Sequence, residues 1–344
     1  MNITNPEMIS QILKIGLLSA GAFVLAMVLT PVYTHFAYKH EWWKKIRTKT
    51  VDGEKAKIFQ KLHGEKHKRN IPTMAGVLIW GTVLILTLFF NLDRSQTWLP
   101  LFALVSVGIL GIFDDIINVR SEGGVAGMKA KVKMSWLLLI AFLGAYWFYV
   151  KLGHNAINIP FNGNLEVGWL YVPFFILVFV ATANAVNITD GLDGLSGGLL
   201  ATSFFAYLVI AFFQGNYGIA AFCGTLVGAI LAYTWFNIYP ARFFMGDTGA
   251  ISLGAALGVI AMLTNSALVL PIIGLIFVVE AGSSLLQIIS WKALKKKKIF
   301  IVAPIHHHFE AKGWPETKVT MRFWIIGAFA AVLGVILRFI SGGS

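Results

Sequence analysis

The stretch 98-WLPLFALVSVGILGIFDDIINV-119 runs for sixteen residues, Trp98 to Phe113, without a charge, and then meets two adjacent aspartates. A helix crossing the roughly 30 Å hydrocarbon core of a bilayer needs about 17–25 apolar residues, so this run sits at the lower edge of a membrane span. A soluble core helix of the same composition is the competing reading, and the rest of the chain decides between them.

Of 344 residues, 57% are hydrophobic and 13% charged, where a soluble domain averages about 25% charged. Mean hydropathy is +0.73. With so much apolar surface, the solvent for most of the chain is lipid. Ten spans are expected, near 12–37, 74–92, 98–113, 134–150, 169–187, 195–213, 217–237, 248–264, 267–290 and 322–340. Threaded alternately, they sort the connecting loops into two sets. One set (39–73, 114–133, 188–194, 238–247 and 291–322) holds 24 of the 28 Lys and Arg. The other set and its helix ends hold only Lys14, Arg94, Lys151 and Arg338. Positive loops stay in the cytoplasm during insertion, which makes the first set cytosolic and puts both termini outside. The same basic loops will attract anionic lipid headgroups.

The chain is therefore expected to be an all-α polytopic membrane protein of about ten transmembrane helices, one domain over 1–344. Both termini are extracytoplasmic, and one short β-hairpin lies on that side, where 157-INIPFNGNLEVGWLY-171 alternates apolar and polar residues around Asn162-Gly163-Asn164. Cys223 is the single cysteine, which excludes a disulfide framework and a cysteine-based zinc cluster. The polar stretch before the first apolar run lacks a basic n-region, so that run reads as a retained helix rather than a cleaved signal.

Five of the seven aspartates fall in three clusters at the cytosolic ends of spans. Acidic groups next to lipid are costly unless paired or functional. Asp114-Asp115 is read as a pair at a helix end, where mutual repulsion favours a cation between or beside them; a solvated terminal pair is the plainer alternative. In 184-NAVNITDGLDGLSGG-198, Asn184 and Asn187 are three apart, as are Asp190 and Asp193, so on a helix each pair shares a face. The glycines there let backbone approach a ligand closely, and free amides at the next helix start can meet an anion. Asp247, in 235-WFNIYPARFFMGDTGAISLG-254, stands where an N-cap would, and the aromatic pair Phe243-Phe244 can stack on a planar ring. Carboxylates on separate loops suit Mg²⁺, which combines one or two of them with substrate phosphates. Lys68 and Lys131 supply point charges for phosphate, or are simply solvated positive-inside lysines. The reaction class that follows is phosphoryl transfer at the cytosolic membrane face.

Two further features stand out. Glu280 lies mid-span in 275-LIFVVEAGSSLLQIIS-290, as a functional group or one bonded to backbone, Ser283 or Ser284, and Gly282 is a candidate bend. The triple histidine of 303-APIHHHFEAKGW-314 is read as an extended segment, on which only His306 and His308 point together; zinc binding is not expected. Imidazoles there can donate hydrogen bonds to phosphate or sugar oxygens. Trp42 and Trp43 beside Lys44 and Lys45 look like an interfacial anchor.

Together, 113-FDD-115, 184-NAVNITDGLDGLSGG-198, 244-FMGDTGAISLG-254 and 304-PIHHHFEAKGW-314 resemble the polyprenyl-phosphate sugar-1-phosphate transferases over nearly the whole chain. The aspartate motifs mark that superfamily, and the triple-histidine loop points to its muramoyl-pentapeptide branch. The resemblance implies transfer of phospho-MurNAc-pentapeptide from UDP to undecaprenyl phosphate with Mg²⁺, in a bacterial inner membrane, by a homodimer with no nucleic-acid partner. It implies catalytic roles for Asp114, Asp115, Asp247 and His307, with the three aspartates as metal ligands and Asp247 foremost. Asn187, Asp190, Gly191, Leu192, Asp193, Asn237 and Phe244 match positions around the nucleoside. Lys68, Thr73, Lys131 and Gln287 match the remaining polar lining, together with His306 and His308. Two stretches depart from the family pattern: 71-IPTMAG-76 replaces Thr-Pro-Thr-Met-Gly-Gly, and 116-IINVRSEGGVAGMKAKVK-133 has only Arg120 in its first half. A UDP-GlcNAc-using transferase and a membrane transporter are the alternative readings.

Overall fold

The computed structural model describes residues 6–43, 69–121, 127–293 and 298–341. Its centre is set by glycines. In helix α8 (Gly246–Leu263) every residue except Asp247 is buried. A Cβ on Gly249 or Gly76 would overlap the other helix, one on Gly111 would meet Thr248, and ones on Gly254 and Gly258 would meet Thr182. Three neighbours thereby lie directly against α8: α2 (Gly76–Phe90), α3 (Trp98–Arg120) and α5 (Tyr171–Thr189). Lipid tails supply no hydrophobic drive between helices, so such backbone-to-backbone packing is what holds a membrane bundle together.

Around this core stand α1 (Pro6–Lys39), α4 (Ala130–Tyr146, extended by a π-turn to Lys151), α6 (Leu195–Phe213), α7 (Tyr217–Asn237), the broken pair α9 (Leu270–Ile273) and α10 (Leu275–Ala293), the short α11 (Ile305–Ala311) and α12 (Glu316–Ile340). Strands β1 (Ala156–Ile159) and β2 (Gly163–Glu166) form the hairpin, with Ile157 opposite Leu165 and Asn158 opposite Asn164. The turn is Pro160-Phe161-Asn162, two residues earlier than expected. Phe161 and Gly163 take the positive φ values of 67° and 79° there, and residues 168–170 turn helical instead of continuing the strand.

Among the described residues, nine helical segments are long and apolar enough to cross a membrane. The tenth expected span, 74–92, forms the 15-residue α2, about 22 Å long. Contacts at its ends show that it nevertheless runs the depth of the bundle. Gly76 lies against Gly249 at the start of α8. At its other end, the Asn91 amide donates to the carbonyl of Gly218 at the start of α7 (2.8 Å). Lys14 of α1 lines the same cleft as Asn91 and Gly218, and Arg338 of α12 donates to Ser266 just after α8 (2.9 Å). Lys14 of α1 and Arg338 near the end of α12 thus both lie toward the end of the bundle opposite Asp247.

Three local expectations change. Helix α3 continues past the aspartate pair to Arg120, so Asp114 and Asp115 lie inside a helix. The break before α10 falls at Gly274, while Gly282 sits in unbroken helix with open space around it. The histidines are helical, not extended. Of the expected interfacial anchor, Trp43 pairs with Pro72 and Trp42 packs near Tyr33; Lys44 and Lys45 lie outside the described residues.

Candidate active site

Adjacent helical residues point about 100° apart, and this divides the work of the aspartate pair. Asp115, fully buried, turns toward α8, where its Oδ2 accepts the backbone N–H of Thr248 at 3.0 Å. The expected cap, Asp247, is instead inside the first turn of α8, so a carboxylate from another helix satisfies that helix start. Gly246, at φ 72°, leaves room for this: a Cβ would run into the Asp115 carboxylate and the Thr73 hydroxyl. Asp114 turns the other way. It accepts the Met128 N–H and the Asn118 amide (3.4 Å), and its Oδ2 stands 3.3 Å from the Lys133 ammonium. The same ammonium binds Asp247 Oδ2. Two carboxylates from two helices therefore share one cation, with the positive N-terminus of α8 beside them.

In the second cluster Asn184 and Asn187 lie on helix α5 at the expected spacing, whereas the two aspartates lie in a turn. Helix α5 stops at Thr189, and Gly194, at φ 77°, starts α6. Asp190 and Asp193 consequently diverge. Asp190 accepts the Ser196 hydroxyl; Asp193, buried, accepts the Ala241 N–H at 2.9 Å. Asn237 ties this turn to the next loop, accepting from Gly194 N–H and donating to the Phe243 carbonyl, both at 2.9 Å. Leu192 is buried and Asn187 half-buried at the edge. Of the aromatic pair, Phe243 is enclosed by Tyr33, Tyr233 and Phe236. Only Phe244, half-buried, keeps ring surface outward. Thr73 lies beneath, its carbonyl accepting from Tyr33 at 2.6 Å.

On helix α11 the three histidines point three ways. His306 is fully buried, its Nδ1 2.8 Å from Glu280 Oε2; the expected serine partners of Glu280 are replaced by this imidazole. His307 Nδ1 is 2.7 Å from Glu310 Oε2, one turn along the same helix. His308 Nδ1 accepts the Ile301 N–H at 3.1 Å. Burial, with Lys312 nearby, holds its pKa below the ordinary imidazole value, in keeping with a lone pair occupied as acceptor. Gln287 anchors the preceding loop, accepting from Ile299 and Phe300.

The structure thus gathers Asp114, Asp115, Asp247 and Thr73 at one corner. Asp190 through Asp193, Asn237 and Phe244 sit beside it, and His306 touches Gly191, where a Cβ would overlap the imidazole Nε2. Lys131 is exposed on the outer side of α4, while Lys68 lies outside the described residues. Lys133 was not singled out from sequence: in 129-KAKVK-133, only the true helix start tells which lysine faces inward. Glu316, Thr320 and Trp324 were missed as well; spaced four apart on α12, they bind Asp193 N–H (2.5 Å), the Asp193 carbonyl (3.3 Å) and the Gly194 carbonyl (3.2 Å).

Among the described residues, no three His, Cys, Asp or Glu side chains form a protein-only metal cage. Mg²⁺ does not require one, since it takes one or two carboxylates and completes its shell with phosphate and water oxygens. Asp114 and Asp247, whose oxygens already converge on a single cationic centre, fit that donor set.

A family model described as glycosyl transferase family 4 matches residues 97–265. That interval contains α3 to α8 and all five clustered aspartates. The chain is 38% identical over 356 residues to a phospho-N-acetylmuramoyl-pentapeptide-transferase of Chloroflexus aggregans, covering 99% of this chain and 94% of the relative. Proteins of the same name match from Syntrophus aciditrophicus, at 43% over 287 residues (78% and 80% covered), and from Anoxybacillus flavithermus, at 38% over 332 residues (94% and 98%).

Proposed function

The chain belongs to the phospho-N-acetylmuramoyl-pentapeptide transferase family of phosphoglycosyl transferases, and from that premise we propose its reaction in full: phospho-MurNAc-pentapeptide passes from UDP to undecaprenyl phosphate, UMP leaves, and Mg²⁺ is required. The observation that carries this reading is the convergence of Asp114 and Asp247, from two helices, on Lys133, with Asp115 bonded to the start of α8 beside them, at one end of a membrane bundle. The helix ends that flank the basic loops lie at that end, and by the positive-inside rule the site faces the cytosol of a bacterial inner membrane. A homodimer embedded in membrane lipids is part of the same reading.

The acceptor is a phosphate monoester with a second pKa of about 6, so roughly nine-tenths is already dianionic at pH 7. A general base has little proton to remove, and the carboxylates act by alignment and charge. An acceptor oxygen attacks the sugar-bearing phosphorus in line, forming the new P–O bond as the bond to the UMP oxygen breaks. Asp114 orients the acceptor. Asp247 with Asp114 or Asp115 would hold Mg²⁺, which would supply positive charge to offset that of the diphosphate. Lys133 adds a fixed positive charge, Phe244 offers its face to the uracil, and the His307 imidazole, its Nδ1 held by Glu310, donates from Nε2–H in its protonated form to phosphate or sugar oxygens.

Detergent-purified protein given UDP-MurNAc-pentapeptide, undecaprenyl phosphate and Mg²⁺ should release one UMP per lipid product formed. No UMP, as for a transporter, or UMP only from UDP-GlcNAc, would overturn the assignment. A phosphorylated aspartate trapped in a single turnover without lipid would replace direct attack by a covalent intermediate.

A further inference from the structure

Glu280 is a carboxylate in the middle of a membrane helix, and the proposed reaction makes no use of it. It is fully buried, although Val278 and Val279 beside it are lipid-exposed. An acid at such a depth is expensive unless it is bonded, and the bond here is to His306, equally buried, at 2.8 Å. Among the described residues, neither the second Glu280 oxygen nor His306 Nε2 has another hydrogen-bond partner, so the contact is the polar anchor of both side chains. One turn along, Ser283 continues the attachment. Its hydroxyl donates to the Glu280 carbonyl (2.8 Å) and accepts the Ile305 N–H at the start of α11 (3.0 Å). On its far side the His306 ring rests on Gly191, where no side chain fits. It also stands edge-on to His307, with ring centroids 4.1 Å apart.

We propose that Glu280 is a positioning residue that acts through His306: it fixes the imidazole as the wedge that sets the Gly191–Asp193 turn, and thereby tunes binding of the nucleotide end of the substrate. A carboxylate accepting from Nδ1 fixes both ring orientation and tautomer, as outer-shell carboxylates do for histidines elsewhere. The acid sits in the lipid-facing helix and the turn belongs to α5 and α6, so the imidazole is the mechanical link between them. The role rests on the reaction proposed above, in which that turn meets the uridine.

Steady-state kinetics of full-length Glu280→Leu, Glu280→Gln and Gly191→Ala, each in detergent, test it. Glu280→Leu removes the acceptor and should raise KM for the UDP-linked substrate at least tenfold while leaving KM for undecaprenyl phosphate within twofold. Glu280→Gln retains an acceptor oxygen and should stay within threefold of wild type. Gly191→Ala displaces the same ring from the opposite side and should reproduce the KM phenotype even where Glu280→Leu does not fold. In Glu280→Leu with His306→Leu, KM should be no higher than in Glu280→Leu alone, because coupled groups do not add. Equal changes in both KM values, a fall in kcat alone, or Gln behaving like Leu would each overturn the inference. Wild-type turnover decides the proposed reaction, and only the ratio of variant to wild type decides the role of Glu280.

Discussion

The acidic corner and the histidine corner of the site are built on opposite plans. At the first, Asp247 and Lys133 keep part of their surface open to a ligand, with the buried Asp114 bonded to the same ammonium behind them. At the second, the contact between Glu280 and His306 is sealed from solvent, and only His307 and His308 stay half-exposed. Charge held in the open can act on a ligand. Polar groups buried together shape the protein instead, because out of water each has only the other to bond. A motif that looks uniform in sequence, three consecutive histidines, divides across that boundary.

Substitutions at the two corners can break or sharpen this contrast. The largest effect is expected for Asp247→Asn, which keeps size but removes charge where the transition state needs it. Turnover should fall by about a thousandfold, with the thermal unfolding midpoint in detergent unchanged. A fall of less than about tenfold would take Asp247 out of the chemistry. His307→Ala, at the open face of the other corner, should cost on the order of a hundredfold in kcat/KM and leave the protein folded; wild-type activity would remove this histidine from the mechanism. Lys133→Met breaks a charge-assisted contact and should lower turnover at least about tenfold, read in the same UMP-release assay. Smallest is Lys131→Met, on the outer side of the same helix, for which a change within about twofold is expected. Equal losses at Lys131 and Lys133 would mean that the basic loop acts as a diffuse field and the Asp–Lys–Asp geometry has no special part.

The pair Lys131 and Lys133 also marks how far the sequence could be read. The ten apolar runs were legible, and two of them, 195–213 and 217–237, coincide with α6 and α7. Charge counting distinguished the two sets of loops, and the aspartate and histidine clusters stood out as costly beside lipid. The side chains' facing was not legible. In water, a buried helical face is apolar and the other polar, so periodicity reports orientation. In lipid both faces are apolar: on α12, Ile325 is 70% exposed and Phe323 only 6%, and nothing in their chemistry tells them apart. Asp193 and Asn237 likewise combine expected nucleotide positions with bonds that tie two loops together, a role with no sequence signal.

By itself, then, the sequence determined that the chain crosses a membrane, which residue types gather at one end, and the family whose chemistry they serve. Apolar length, charge placement and motif spacing are properties of the chain in any conformation. Only the tertiary structure decided that Asp115 caps α8 in place of Asp247, that Lys133 bridges Asp114 and Asp247, and that Glu280 holds His306 against Gly191. Each of these depends on where a helix starts and how it is rotated against its neighbours. A shift of one residue turns a side chain by about 100°, and the close glycine contacts around α8 allow one such arrangement.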